Sequence, residues 1–287
     1  MKLLRKSASL KLHSYSQENL VDYIRAGLVF HKEHGFDAAD LSIGSLDLAS
    51  DGWREQTEGI LVASAEVGLG IELCHLPSLN GNPQKNEAVL TAFAEKMHRA
   101  IDAASALGVS HAVLHPTTPL LPMKKYDRAA QRDFVLGHLS PFVEHAERVG
   151  LSLAVENMRI PPSVVSSHRY CQEPEELCEV ADTLGIGICW DFGHANTVGF
   201  CQSEALAYVG KRLCVLHVND NDGIEDEHLA PFMGTIDWRD AMHGLALAGF
   251  DGLLNYEVSA GKIPTQMRST FAQYLAEAAD VLNEYIE

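Results

Sequence analysis

The sequence predicts an α/β chain folded as one (β/α)8 barrel, a TIM barrel spanning residues 1–287, on three observations. Short apolar runs alternate eight times with long amphipathic stretches. A glycine follows the helical stretch in seven of the eight repeats. Ionisable side chains recur at the ends of the later apolar runs with an average spacing of about 36 residues, close to one eighth of the chain.

The runs read as strands are residues 9–13, 36–41, 70–74, 110–114, 152–155, 187–190, 214–218 and 253–256. Several are continuously apolar, as in Val113-Leu114 and Leu153-Ala154-Val155, which suits parallel strands buried on both faces. The helical stretches are residues 17–34, 54–67, 86–107, 129–149, 175–184, 203–209, 238–248 and 265–285. Gly35, Gly68, Gly108, Gly150, Gly185, Gly210 and Gly249 follow the first seven, where a left-handed residue ends a helix. The competing architecture is an open doubly wound sheet. No GxGxxG follows the first strand and no GxxxxGK[ST] occurs, so neither nucleotide fingerprint supports it.

Composition narrows the function classes. Apolar residues are 46% and charged residues 21%, enough for a sizeable core. The net charge of −17 disfavours nucleic acid and anionic membrane as partners. The basic N-terminus lacks a signal-length apolar run, and no stretch has the roughly 18 apolar residues of a membrane span. The six cysteines form no CxxC pair, so a reduced, cytoplasmic protein is expected, with Cys189 and Cys214 as small core residues.

The strand ends carry the chemistry. His75 ends Ile-Glu-Leu-Cys-His, His115 ends Ala-Val-Leu-His, Glu156 ends Leu-Ala-Val-Glu, and Asp191 ends Ile-Cys-Trp-Asp. His217 lies in Val-Leu-His-Val-Asn-Asp, and Glu257 follows Leu-Leu-Asn-Tyr. In a barrel these groups converge on one mouth, where active sites of this fold form. A lone histidine at a strand end is usually a hydrogen-bonded structural residue, but six ionisable groups at βα spacing are poorly explained that way. Three carboxylates in one funnel raise each other's proton affinity, and a divalent cation removes the conflict. Glu156, Asp191, His217 and Glu257 form a hard, oxygen-rich set suited to Mn2+, Mg2+, Co2+ or Zn2+. His13, His31, His34, His98, His111, His138, His145 and His243 are read as surface or packing residues.

These motifs resemble the xylose isomerase-like barrel superfamily, which includes sugar isomerases and epimerases, inosose and dehydroshikimate dehydratases, and the endonuclease IV group. The matching segments are Cys-His-Leu-Pro (74–77), Val-Leu-His-Pro (113–116), Ala-Val-Glu-Asn (154–157) and Cys-Trp-Asp-Phe-Gly-His (189–194). Leu-His-Val-Asn-Asp (216–220), Asp-Glu-His-Leu-Ala-Pro (226–231), Gly-Thr-Ile-Asp-Trp (234–238) and Tyr-Glu (256–257) complete the ordered set. By resemblance to the epimerase branch, Glu156, Asp191, His217 and Glu257 hold one metal, and Glu156 and Glu257 also move protons. The substrate-binding residues become His75, His115, His194 and His228. The implied activity is isomerisation or epimerisation of a small sugar or keto-polyol through a metal-stabilised enediolate, with dehydration of a related keto-polyol as the alternative.

The endonuclease branch uses three zinc ions, and its ligand set maps onto His75, His115, Glu156, Asp191, His194, His217, Asp226, His228 and Glu257. The acidic charge and the scattered basic residues Lys124, Lys125, Arg128, Arg159 and Arg169 weigh against it. The chain departs from the sugar-enzyme pattern at Pro231-Phe232-Met233-Gly234, where many relatives have Pro-Gly-Glu-Gly. That change implies a less polar pocket or a homo-oligomer contact. Tyr15 and Trp53 are the aromatic candidates for substrate contact, whereas Trp190 and Trp238 are assigned to packing. The 157–173 loop is read as a lid or a dimer contact.

Overall fold

A computed structural model describes residues 3–13, 19–79, 87–160 and 166–286. The first half of the chain runs β1 (Arg5–Ser9), α1 (Leu20–Glu33), β2 (Ala38–Ser42), α2 (Gly52–Val67), β3 (Ile71–His75), α3 (Glu87–Leu107), β4 (His111–Leu114), β5 (Leu121–Pro122) and α4 (Arg128–Val149). The second half runs β6 (Leu153–Glu156), β7 (Ser167–His168), α5 (Pro174–Leu184), β8 (Gly187–Asp191), α6 (Phe192–Val198), α7 (Gln202–Val209), β9 (Leu213–His217), α8 (Trp238–Ala248), β10 (Leu253–Tyr256) and α9 (Arg268–Tyr285).

Eight strands form one parallel sheet in the order β10-β1-β2-β3-β4-β6-β8-β9. The two ends meet at a single parallel bridge between Val218 and Tyr256, which closes the barrel. All seven glycines expected after helices have positive φ, from +57° to +79°.

Strand alternation explains where the functional groups stand. Ala38, Leu73, Val113, Ala154, Cys189, Val215 and Leu253, one from each of seven strands, form a small buried cluster. Side chains two residues apart share a face. The residues two further on are Asp40, His75, His115, Glu156, Asp191, His217 and Asn255, so a polar layer tops the apolar one. Trp190, on the opposite face of β8, is fully buried and donates through Nε1 to Gln202 Oε1, the packing role expected for it.

The first strand is Arg5–Ser9, not residues 9–13. Leu10–Leu12 is a 3-10 turn with both leucines buried, and that burial reproduces a strand-like alternation. Two further elements belong to the mouth: the short helix α6, and an antiparallel ribbon of β5 and β7. Among the described residues, no helix is long and apolar enough to cross a membrane.

Candidate active site

A cavity of about 350 Å3 opens at the C-terminal ends of the strands, and His75, His115, Glu156, His194, His228 and Glu257 all line it. That volume suits a small ligand. At its floor three carboxylates converge on one imidazole nitrogen. Glu156 Oε1 and Glu257 Oε2 each lie 3.0 Å from His217 Nδ1, and Asp191 Oδ2 lies 3.9 Å from it. The four residues come from β6, the end of β10, β9 and β8, which are successive positions around the barrel.

Asp191 is held from both sides. Its backbone N–H donates to Asn157 Oδ1 at 2.6 Å, and its carbonyl accepts from Asn157 Nδ2 at 2.9 Å. Its Oδ1 caps α6 by accepting from His194 N–H at 2.7 Å, and Oδ2 accepts from Asn219 Nδ2 at 2.9 Å. Asn157 and Asn219, which come shortly after Glu156 and His217 in the sequence, therefore position Asp191.

The second oxygen of Glu156 faces another pair. Oε2 lies 3.3 Å from His75 Nε2 and 3.0 Å from His115 Nε2, and the two nitrogens are 3.1 Å apart. Above them Asp226 Oδ2 lies 3.5 Å from His194 Nε2, 3.4 Å from His228 Nε2 and 3.1 Å from Arg159 Nε. Three of these histidines have Nδ1 against a backbone carbonyl: His75 on Leu76, His194 on Asn157 and His228 on Glu257. A carbonyl only accepts, so Nδ1 carries the proton, and Nε2 is directed at the carboxylates.

The electrostatics show a crowded acidic site. Burial opposes ionisation of Glu156, but His217 and His115 hold its carboxyl well below the usual range. Burial likewise opposes charge on Glu257, yet His217 brings it down to about 2. Asp191 is raised, by burial and by its neighbours Glu156 and Asp226, against the pull of His194. His194 and His228 are pushed up to about 10 and about 9: burial resists, and the surrounding carboxylates prevail. On His115 burial wins, and its pKa falls.

A sign follows for stability. A histidine raised in the folded chain contributes stability that is complete below its unfolded value near 6.5 and lost as pH rises through the folded value. Metal-free protein should therefore lose on the order of 1 kcal/mol, or about 2–4 °C in Tm, between pH 7 and pH 10 through His228 and His194. Thermal unfolding of wild type beside Asp226→Asn measures this. Equal slopes in the two proteins would refute it.

The loop after β9 is pinned by Asp220, which accepts from Phe232 N–H, Ile236 N–H and Trp238 Nε1 at 3.1, 3.2 and 3.0 Å. Gly234 packs against this hub: a Cβ there would sit 2.2 Å from Asn221 O. Phe232 does not line the cavity. Its ring approaches Trp238 and Tyr285 instead, and none of residues 231–234 lines the described cavity. Among the described residues four non-glycine positions have positive φ, namely Thr117, Cys171, His228 and Phe232, and all lie in loops on the mouth side. For the β-branched Thr117, which lines the cavity, this is a strained conformation.

Trp53 is buried at the start of α2 and does not line the cavity, so its expected substrate contact is not seen. Tyr15 lies outside the described residues. His168, in the 157–173 loop, is tied to Glu176, with Nε2 3.0 Å from each carboxylate oxygen. Sequence reasoning missed Asp40, Thr117, Thr118 and the cavity position of Arg159 and Arg169. Asp40 had a signal, since it falls near the position that the 36-residue spacing assigns to the second strand.

Residues 29–285 match the family model of the xylose isomerase-like TIM barrel. The chain belongs to this family. This xylose isomerase-like barrel is 30% identical over 219 residues to the uncharacterized protein MJ1311 of Methanocaldococcus jannaschii, covering 74% of this chain and 71% of that protein. Among solved structures it is similar to a D-tagatose 3-epimerase-like protein, with a TM-score of 0.74, 22% identity, and coverage of 99% and 100% of the two chains. It is also similar to an L-ribulose 3-epimerase, with a TM-score of 0.77, 16% identity, and coverage of 99% and 95%. At these identities the two structures speak to the fold of the xylose isomerase-like chain.

Proposed function

We propose that the protein is a divalent-metal-dependent isomerase or epimerase of a small sugar or keto-polyol, working by proton transfer through an enediolate. The observation that carries this reading is the convergence of Glu156, Glu257 and Asp191 on His217 beneath the cavity. The donor atoms of these four residues lie within 4.8 Å of one another. Three carboxylates against one imidazole leave a surplus of negative charge that a divalent ion would balance. Glu156 Oε2, buried and without a hydrogen bond, also fits an electron-pair acceptor. A bound ion would supply the Lewis acidity that makes the C–H beside a substrate carbonyl removable. Glu156 and Glu257 are the two candidate proton carriers. Carboxylates on opposite sides of the carbon permit removal from one face and return to the other, which is epimerisation. Return to the neighbouring carbon is isomerisation, and loss of a β-hydroxyl is dehydration.

A second reading draws on the two further clusters. His75 and His115 with Glu156, and His194 and His228 with Asp226, each offer donors for an additional cation. Three ions would follow the endonuclease IV pattern and bring an abasic-site nuclease into view. Elemental analysis of metal-reconstituted protein separates the readings, with one ion per chain expected here and three for the nuclease. Solvent deuterium should enter a ketose panel, and abasic DNA should remain intact. A metal-loaded protein that exchanges no proton with any ketose would sink the proposal.

A further inference from the structure

Each carboxylate that lines the cavity has a hydrogen-bond or ion-pair partner within the protein. Glu156 faces His75, His115 and His217, Glu257 faces His217, and Asp226 faces Arg159, His194 and His228. Asp40 accepts from Asn255 Nδ2 at 3.0 Å. Arg169 is different. Its Nε donates to Thr118 O at 3.1 Å, and among the described residues neither Nη atom has a hydrogen-bond or ion-pair partner. The residue is half-buried on the cavity wall.

Arg169 is also firmly placed. On one side His168 is bound to the buried Glu176, which accepts the Tyr126 hydroxyl at 2.5 Å and Cys171 N–H at 3.0 Å. On the other side the buried Tyr170 accepts Thr118 Oγ1 through its carbonyl and donates its hydroxyl to Glu179 Oε2. The Arg169 backbone N–H donates to Gln172 Oε1 at 2.9 Å. Burial, and then the nearby Arg159, push the Arg169 pKa down, so its charge is opposed by its own surroundings. Desolvating a guanidinium without a counter-charge is unfavourable. In a chain with 39 acidic and 22 basic residues, a cavity arginine facing no carboxylate stands out. Lys11, exposed on the same rim, adds a second cation.

We propose that Arg169 receives an oxyanion of the substrate, a carboxylate or a phosphate monoester, so that the molecule turned over is an acidic sugar derivative and not a neutral ketose. This rests on the isomerase reading of the same cavity and narrows its substrate class. The planar guanidinium, anchored through Nε, leaves its Nη edge for two parallel hydrogen bonds to such a group.

Three probes sharing one six-carbon chain isolate the charge: D-glucitol, D-gluconate and D-glucitol 6-phosphate. Calorimetric titration of the metal-loaded protein should show at least one anionic probe binding about tenfold to a hundredfold tighter than glucitol. The preferred anion identifies which oxyanion is native. Arg169→Gln should narrow that gap to under about threefold. Arg169→Lys, which keeps the charge and guards against a folding defect, should retain part of it. Because gluconate can chelate, the comparison is repeated on chelator-treated protein, where the dependence on Arg169 should persist. A gap absent in wild type, or intact in Arg169→Gln, overturns the inference. Ion content and proton exchange with a panel of neutral, carboxylated and phosphorylated ketoses, measured on the same preparations, report on the enzyme reading separately. Their failure alongside an Arg169-dependent anion preference would remove that reading and leave the anion site standing.

Discussion

Glu156→Gln should abolish both ion uptake and proton exchange while leaving a folded barrel. The side chain is buried, and its two oxygens serve different partners: Oε1 faces His217 and His194, and Oε2 faces His75 and His115. The amide keeps the shape and removes the charge that all four imidazoles share. Ion affinity should fall by more than the roughly 10- to 100-fold typical of losing an outer-shell partner. Exchange into any responsive ketose should fall by about 10^4-fold, because a proton carrier and the Lewis acidity disappear together. Elemental analysis and deuterium incorporation measure the two losses. A variant that still binds one ion tightly and exchanges within tenfold of wild type would show that Glu156 is not at the centre of this chemistry.

Glu257→Gln should split what Glu156→Gln destroys together. Glu257 follows the last strand and is about one-third exposed at the side chain, so it is the most accessible member of the proposed ligand set. Burial disfavours its charge, but His217 holds its carboxyl near 2, which keeps it ionised at ordinary working pH. Three of the four proposed ligands remain in the variant, so ion content should persist under saturating metal. Turnover to the epimer should drop by about 10^2- to 10^4-fold, the span of a lost general acid or base. Exchange of substrate hydrogen with solvent should fall less, because Glu156 can still remove and return a proton on one face. Product formation and deuterium uptake followed in the same reaction give that ratio. Equal losses in both would assign Glu257 to ion binding rather than to proton return.

The barrel was legible because each strand had to satisfy two demands at once. Residues 113–114 and 153–155 are apolar on both faces because helices cover one side and the barrel interior the other. Of the proposed ligands, Glu156, Asp191 and His217 stand two positions beyond the inward-facing core residue of their strands, a relation that period-2 alternation makes visible, and Glu257 stands four beyond Leu253. The first strand escaped notice because Arg-Lys-Ser-Ala-Ser carries almost no apolar signal. Its identity comes from pairing with β2 and β10, distant in sequence. The ribbon of β5 and β7 joins residues some 46 apart and leaves no periodicity in either segment. Arg169 looked like one scattered basic residue because its missing counter-charge is a property of tertiary position. Trp53 was misjudged for the opposite reason: a loop residue in the sequence became the first turn of a helix, with its ring turned into the core.

The bridge between Val218 and Tyr256 has a consequence for how the cylinder holds together. Every other neighbouring pair of staves shares a ladder of several paired residues, whereas among the described residues β9 and β10 meet at this one bridge, through two backbone hydrogen bonds of Val218. His217 stands on one lip of that join and Glu257 on the other, each next to a bridge residue. An ion gripped by both would act as a clasp on the weakest joint of the wall. The same few atoms that set the chemistry would then also keep the cylinder from springing open.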